Sequence, residues 1–246
     1  MRSGSGEPVG LYRDRALVVR THKLGEADRI VVLLTEAHGE VRAVAKGARR
    51  TKSRFGARLE PPSHVAVQLY RGRGELDTVT QVESIDAFRP LREDLDRLGR
   101  ALTMIEVADH VARDRDPGPD LYRLLLGALR TLAGSPSPLV VAGYLWKLLA
   151  LEGVAPVLDR CTVCGTTERL VAFDVGEGGA VCRDDRRGTP VSTEALDLLR
   201  DVLGGRLAAA LAVPESPATD EVERLAVHAA EHHLERRLRS VGVLER

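Results

Sequence analysis

The chain has 246 residues, 43% hydrophobic and 29% charged, the profile of a folded globular protein with room for one or two domains of roughly 100–200 residues. No apolar run approaches the ~18 residues that cross a bilayer, and the N-terminal MRSGSGEPVG lacks an apolar signal core, so membrane-spanning and secreted classes are set aside and a cytoplasmic location is expected. The 36 basic and 36 acidic residues cancel, but residues 1–80 hold 15 Lys and Arg against 9 Asp and Glu, a net of +6, and residues 81–246 hold 21 against 27, a net of −6. A basic first third before an acidic remainder implies parts that meet different partners, or face each other.

Residues 1–8 read as a flexible lead-in. From Leu11 to about Ser84 the signals are those of strands: Leu17-Val18-Val19, Ile30 to Leu34, Val65 to Tyr70, the alternation of Val41, Ala43 and Ala45 with Arg42 and Val44, and Leu76 to Val82. Turn-like breaks at His22–Asp28, Ala37–Gly39 and Arg71–Gly74 separate them, with one long connection after the third strand that contains Pro61-Pro62. Five short strands with that spacing fit a small barrel of the oligonucleotide/oligosaccharide-binding type, the OB-fold.

The long connection carries the most pointed chemistry. Between Lys46 and Arg58 the chain reads KGARRTKSRFGAR: Lys46, Arg49, Arg50, Lys52, Arg54 and Arg58 are cationic and nothing is acidic. Gly47 and Gly56 weaken any long helix, so a mobile basic loop is expected, either merely solvated or holding a polyanion. Arg71 and Arg73 add charge on the turn between the fourth and fifth strands. Phe55, Tyr70 and Tyr12 are the aromatics within reach of a base, and with aromatics at 3% of the chain stacking adds little.

After Pro90 the period becomes helical. Leu91, Leu95, Leu98, Leu102, Ile105 and Ala108 mark one amphipathic helix to about Arg113. DPGPD at 116–120 restarts the chain near Pro119 or Asp120, Leu121–Leu132 forms the next helix, and GSPSP at 134–138 breaks it. Leu139–Glu152 is apolar nearly all round, a central buried helix with Tyr144 and Trp146 inside. A later helix runs from Thr193, capped by Ser192, to Leu203 before Gly204-Gly205, and a last one from Asp220 to about Ser240, with Leu225, Leu234 and Leu238 along one side and Arg236, Arg237 and Arg239 near its end.

The three cysteines fall between these helices. Cys161 and Cys164 form a CxxC, and Cys182 follows after 17 residues, inside the roughly 15–20-residue gap of a zinc ribbon. The place of a fourth cysteine is taken by Asp185. An aspartate oxygen can ligate zinc, so a Cys161, Cys164, Cys182, Asp185 set is one reading; Asp184, His228 or His232 as fourth donor, or three free thiols in a reducing compartment, are others. Gly176, Gly178 and Gly179 read as a hairpin tip. The chain has no GxxxxGK[ST], no GxGxxG between a strand and a helix, and no nucleophile beside a base, so no enzyme is expected.

The run LGEADRIVVLLTEAHGEVRAVAKGARRTKSRFGARLEPPSHVAVQLYRGRGELDTVTQVE, residues 24–83, closely resembles the N-terminal domain of the bacterial RecO family of recombination mediators, and the helical remainder with its cysteine segment resembles the rest of that family. The resemblance implies an α+β protein: an OB-fold barrel at 1–84, an all-α domain at 85–160 and 190–246, and a zinc-ribbon-like insertion at 161–189. It implies a DNA repair and recombination protein that binds single- and double-stranded DNA, anneals complementary strands, works with RecR, and helps load RecA onto strands covered by the single-strand-binding protein SSB, whose acidic tail some members contact. The departure at Asp185 leaves open whether structural zinc is held. The competing expectation is an interaction scaffold whose basic barrel docks an acidic protein and touches DNA weakly.

Overall fold

The computed structural model describes residues 10–53, 55–114, 118–134 and 137–238. The expected lead-in, Arg54, Arg239, and residues 116–117 and 135–136 of the two expected breaks lie outside them. Five strands come first: β1 (Gly10–Leu24), β2 (Asp28–Thr35), β3 (Glu40–Ala45), β4 (His64–Arg71) and β5 (Asp77–Asp86). Alternation decides their faces, so that Ala16, Val31, Ala43, Val67 and Val79 meet in one core. The sheet closes in the order β1-β2-β3-β5-β4. Its one parallel pair, β3 with β5, is short, matching Ala43 with Asp77 and Val44 with Thr78. This is the expected five-stranded OB barrel.

The chain divides into two compact units, Met1–Glu93 with Ala108–Leu126, and Asp94–Val107 with Gly127–Arg246. In the first, Arg20 of β1 pairs with Asp109 at 3.3 Å, and His64 of β4 shares a 2.8 Å hydrogen bond with Tyr122. Helix α1 (Arg89–Arg92) supplies Arg92, whose guanidinium donates to the carbonyls of Glu60 and Pro62 and so fixes the end of the β3–β4 connection.

The single helix expected from Leu91 is broken. Asp94 accepts a hydrogen bond from the Arg97 amide at 3.1 Å and starts α2 (Leu95–Asp114) afresh. The phase changes there: Leu91 is buried, but Leu95 is 82% exposed. Next come α3 (Pro119–Gly134) and α4 (Val140–Leu151), with Tyr144 and Trp146 buried as expected. A small sheet of β6 (Leu170–Asp174), β7 (Gly179–Cys182) and β8 (Thr189–Pro190) follows, and the Phe173 ring of β6 meets Trp146 edge-on at 5.5 Å.

Helix α5 (Thr193–Leu203) is capped by Ser192 and ends at Gly204. A short α6 (Leu207–Leu211), unforeseen, leads to α7 (Pro217–His233). That helix begins earlier than expected because Ser216 and Thr219 form a reciprocal capping box with Pro217 in the first turn. It also ends earlier. Glu235 takes a left-handed conformation, and Leu238 folds back so that its amide donates to Glu231 and its side chain is buried. Arg236 and Arg237 therefore lie past the helix rather than in its last turn. Helix α4 packs against α5 and α7 as the centre of this bundle. No helix among the described residues is long and apolar enough to cross a membrane.

Candidate nucleic-acid interface and metal centre

Register gathers the basic residues at one end of the barrel. The last residue of β3, Ala45, pairs with Arg29 at the start of β2, and Ala43 pairs with Asp77 at the start of β5. The β1–β2 turn, the start of the β3–β4 connection and the β4–β5 turn therefore meet there. In an OB-fold the β1–β2 and β4–β5 loops flank the ligand face.

The basic connection is tied down at its start. The Arg49 guanidinium donates to the Gly25 carbonyl at 2.8 Å and its amide to the Ala27 carbonyl at 3.0 Å, while the Gly47 amide donates to Asp28 at 2.7 Å. A left-handed Gly47, φ +70°, makes that turn. The hydrogen bonds fix the backbone and leave the cations outward: Lys46, Arg49, Arg50, Lys52, Arg58 and Arg73 are all exposed. Arg54 lies outside the described residues.

Two residues depart from the expected interface. Phe55 is 1% exposed, packed into the barrel core with Leu59, so it cannot stack on a base. The Arg71 guanidinium lies 4.6 Å over the Tyr12 ring and 4.0 Å from the Asp77 carboxylate, and Tyr12 in turn hydrogen-bonds Asp77. Burial, then the Asp77 carboxylate, pushes the Tyr12 hydroxyl far above its ordinary value. Arg71 thus spends its charge on this cluster, and Tyr12 is occupied by it. Tyr70, 43% exposed, is the remaining aromatic of the three.

The second site is compact. The donor atoms of Cys161, Cys164, Cys182 and Asp185 all lie within 4.8 Å of one another. Cys164 Sγ is 3.7 Å from Cys182 Sγ, and Asp185 Oδ2 is 3.5 Å from Cys161 Sγ and 3.4 Å from Cys182 Sγ. A tetrahedral ion with metal–sulfur bonds of about 2.3 Å gives sulfur–sulfur edges of about 3.8 Å, close to the 3.7 Å between Cys164 Sγ and Cys182 Sγ. Three cysteines and one aspartate here could hold a metal ion. Asp184 lies outside this cluster, and His228 and His232 stand on α7, also outside it.

Local geometry makes both ligand turns. Gly165, φ +80°, follows the CxxC, and its amide closes back on the Cys161 carbonyl at 3.0 Å. Gly188, also φ +80°, follows the second turn so closely against β6 that a Cβ would sit 2.3 Å from the Phe173 carbonyl oxygen. Burial raises the Cys161 thiol, but the backbone amides of Cys164, Cys182 and Val163 outweigh it and leave the thiol below its ordinary value. The Asp185 carboxylate pushes Cys164 up to about 12, and the thiols of Cys164 and Cys182 hold Asp185 below the usual carboxylate range. Without a cation, protons bridge these donors; a bound metal takes their place.

Comparison with known families decides the assignment. Residues 9–88 match the family model described as recombination protein O N terminal, and residues 92–241 match the one described as recombination protein O C terminal. The chain belongs to the RecO family. Its role is therefore in DNA repair and recombination, and the RecO barrel and cysteine cluster found here fit DNA binding and metal binding. What sequence reading missed at the RecO barrel is the tether from Arg49 to Gly25 and Ala27, since carbonyl acceptors leave no mark on residue identity.

Proposed function

We propose that this RecO-family chain binds single- and double-stranded DNA without reading sequence, anneals complementary strands, and with RecR helps load RecA onto DNA covered by SSB, whose acidic tail it contacts. The carrying observation is the exposed row of Lys46, Arg49, Arg50, Lys52, Arg58 and Arg73 at the end of the barrel where three connections meet. Arg54 joins them from sequence, and Arg71 contributes by holding the Tyr12–Asp77 cluster beneath. Cations on a loop meet phosphates at any base sequence, which suits action at any gap or break.

The proposed work is done by binding alone, in the cytoplasm, with no covalent step catalysed. Zinc is the proposed ion at Cys161, Cys164, Cys182 and Asp185, with a structural role in the insertion at 161–189; the barrel at 1–84 and the helical parts at 85–160 and 190–246 are the proposed domains. Reversing Arg49, Arg50, Lys52 and Arg54 to Glu tests the reading. Gel-shift affinity for both DNA forms should be lost while circular dichroism stays that of the parent chain, and retained affinity would refute it. A chain that prefers an SSB-tail peptide over bare oligonucleotide would instead support the scaffold alternative.

A further inference from the structure

The starts of α5 and α7 meet, the Ser192 amide donating to the Glu221 carboxylate at 2.7 Å. The two helices and the loop leading into α7 line an open groove of about 620 Å³, within the second compact unit. Most of its accessible surface is apolar, with Leu198, Val213 and Pro217 in its lining. The charged residues that line it are all carboxylates: Glu194, Asp197 and Asp201, three and four apart along one face of α5, and Glu221 of α7.

Helix dipoles account for only part of this. Glu194 lies in the first turn of α5, and Glu221 accepts the amide of its N-cap. Asp201 stands in the last turn, where the dipole disfavours an acid. Arg200 pairs with Asp197 at 2.7 Å and Arg206 with Asp201, which offsets part of the charge. Neither arginine lines the groove, and the Arg200 guanidinium is also turned to the Leu158 carbonyl, at 2.6 and 3.2 Å. Glu194 is exposed and has no hydrogen bond or ion pair among the described residues. The acidity extends past the groove. Burial, then the Asp220, Asp96 and Glu215 carboxylates working against Arg100, hold the Glu223 carboxyl above its ordinary value.

We propose that this groove docks a cationic segment of a partner protein, one that lays the aliphatic stems of its arginines or lysines on Leu198, Val213 and Pro217 and turns the charged heads to the carboxylates. An uncharged apolar segment would strip water from the carboxylates and put nothing in its place. Phosphates or an acidic peptide would meet like charge. A cationic segment replaces the lost water with ion pairs while its stems cover the apolar lining. The groove and the cationic end of the barrel therefore select opposite charges, and a basic protein and DNA need not compete for one surface. The inference stands apart from the DNA reading of the barrel.

Anisotropy titrations of the full chain with a labelled hexa-arginine peptide at low salt test this. Glu194→Lys with Asp197→Lys should weaken binding by about tenfold or more, and Leu198→Ser, which changes no charge, should weaken it as well. The same charge change at exposed positions elsewhere, Glu83→Lys with Glu168→Lys, should leave affinity within about twofold of the parent. Circular dichroism of every variant should be that of the parent. Groove variants that bind the peptide like the parent, or a control pair that loses as much as the groove pair, overturn the proposal. So does a parent chain that associates with itself at low salt and becomes monomeric in the groove pair, because the occupant is then a second copy. A parent that binds the peptide but no oligonucleotide sinks the barrel's backbone site and leaves the groove standing.

Discussion

Phe55 sits among cations in the sequence, where an aromatic ring suggests a surface for a base; in the fold it is an anchor. Its ring and Leu59 plug the barrel from either end of a short 3-10 turn, Gly56–Leu59. Phe55→Ala should therefore cost about 3–5 kcal/mol in chemical denaturation, the range for emptying a buried aromatic site. The milder, still apolar Phe55→Leu should bind DNA like the parent, which a stacking residue would not allow. Glu40 is the second residue with a readable consequence. Burial, with the nearby Asp109 carboxylate adding to it, raises its carboxyl above the ordinary 4.5, and its Oε2 is buried without a hydrogen-bond partner. A carboxyl raised on folding binds more protons in the folded chain than in the unfolded one, so its contribution to stability falls as pH rises above that ordinary value. Glu40→Gln should melt higher than the parent at pH 7 and no higher once the pH is well below 4.5, as thermal unfolding across pH would show. Neither residue's setting was legible in sequence, because burial of a single side chain depends on what the chain brings over it from far away.

The strands were legible, because alternation and turn residues act locally: all five expected strands exist, and the long connection falls after the third. The five longer helices were legible in place more than in extent, and the short α1 and α6 were not. Asp94 capping a new helix, and Glu235 ending the last one without glycine, are single-residue conformational choices that helical periodicity does not encode. At the small sheet the two tight turns were visible as CxxC and CxxD, but which oxygen or imidazole completes the set needed distances. That gives an element-scale expectation. Asp185→Ala should lower the metal content of protein purified without chelator, and Asp185→Cys should restore it and resist chelator longer than the parent, since thiolate is the commoner donor in structural sites. Metal content unchanged in Asp185→Ala would remove Asp185 from the ligand set.

At the scale of the whole chain, zero net charge conceals a basic first third and an acidic remainder. Binding should accordingly be governed by the local cations and fall steeply with salt despite the neutral total. If about six phosphates are neutralised, the log–log salt slope should be near −4 on single strands and about −5 on duplex. A flat salt dependence in a titration series would mean that the exposed arginines and lysines do not carry the affinity. The closure of the N-terminal sheet has one more consequence. With β3 joined to β5 and β1 to both β2 and β4, every strand of the barrel has two neighbours, although the β3–β5 seam spans only the pairs Ala43–Asp77 and Val44–Thr78. Closure leaves a protein partner little edge on which to lend the barrel a sixth strand. Side chains are then its main grip, and the same closure disfavours edge-to-edge pairing between copies of the chain.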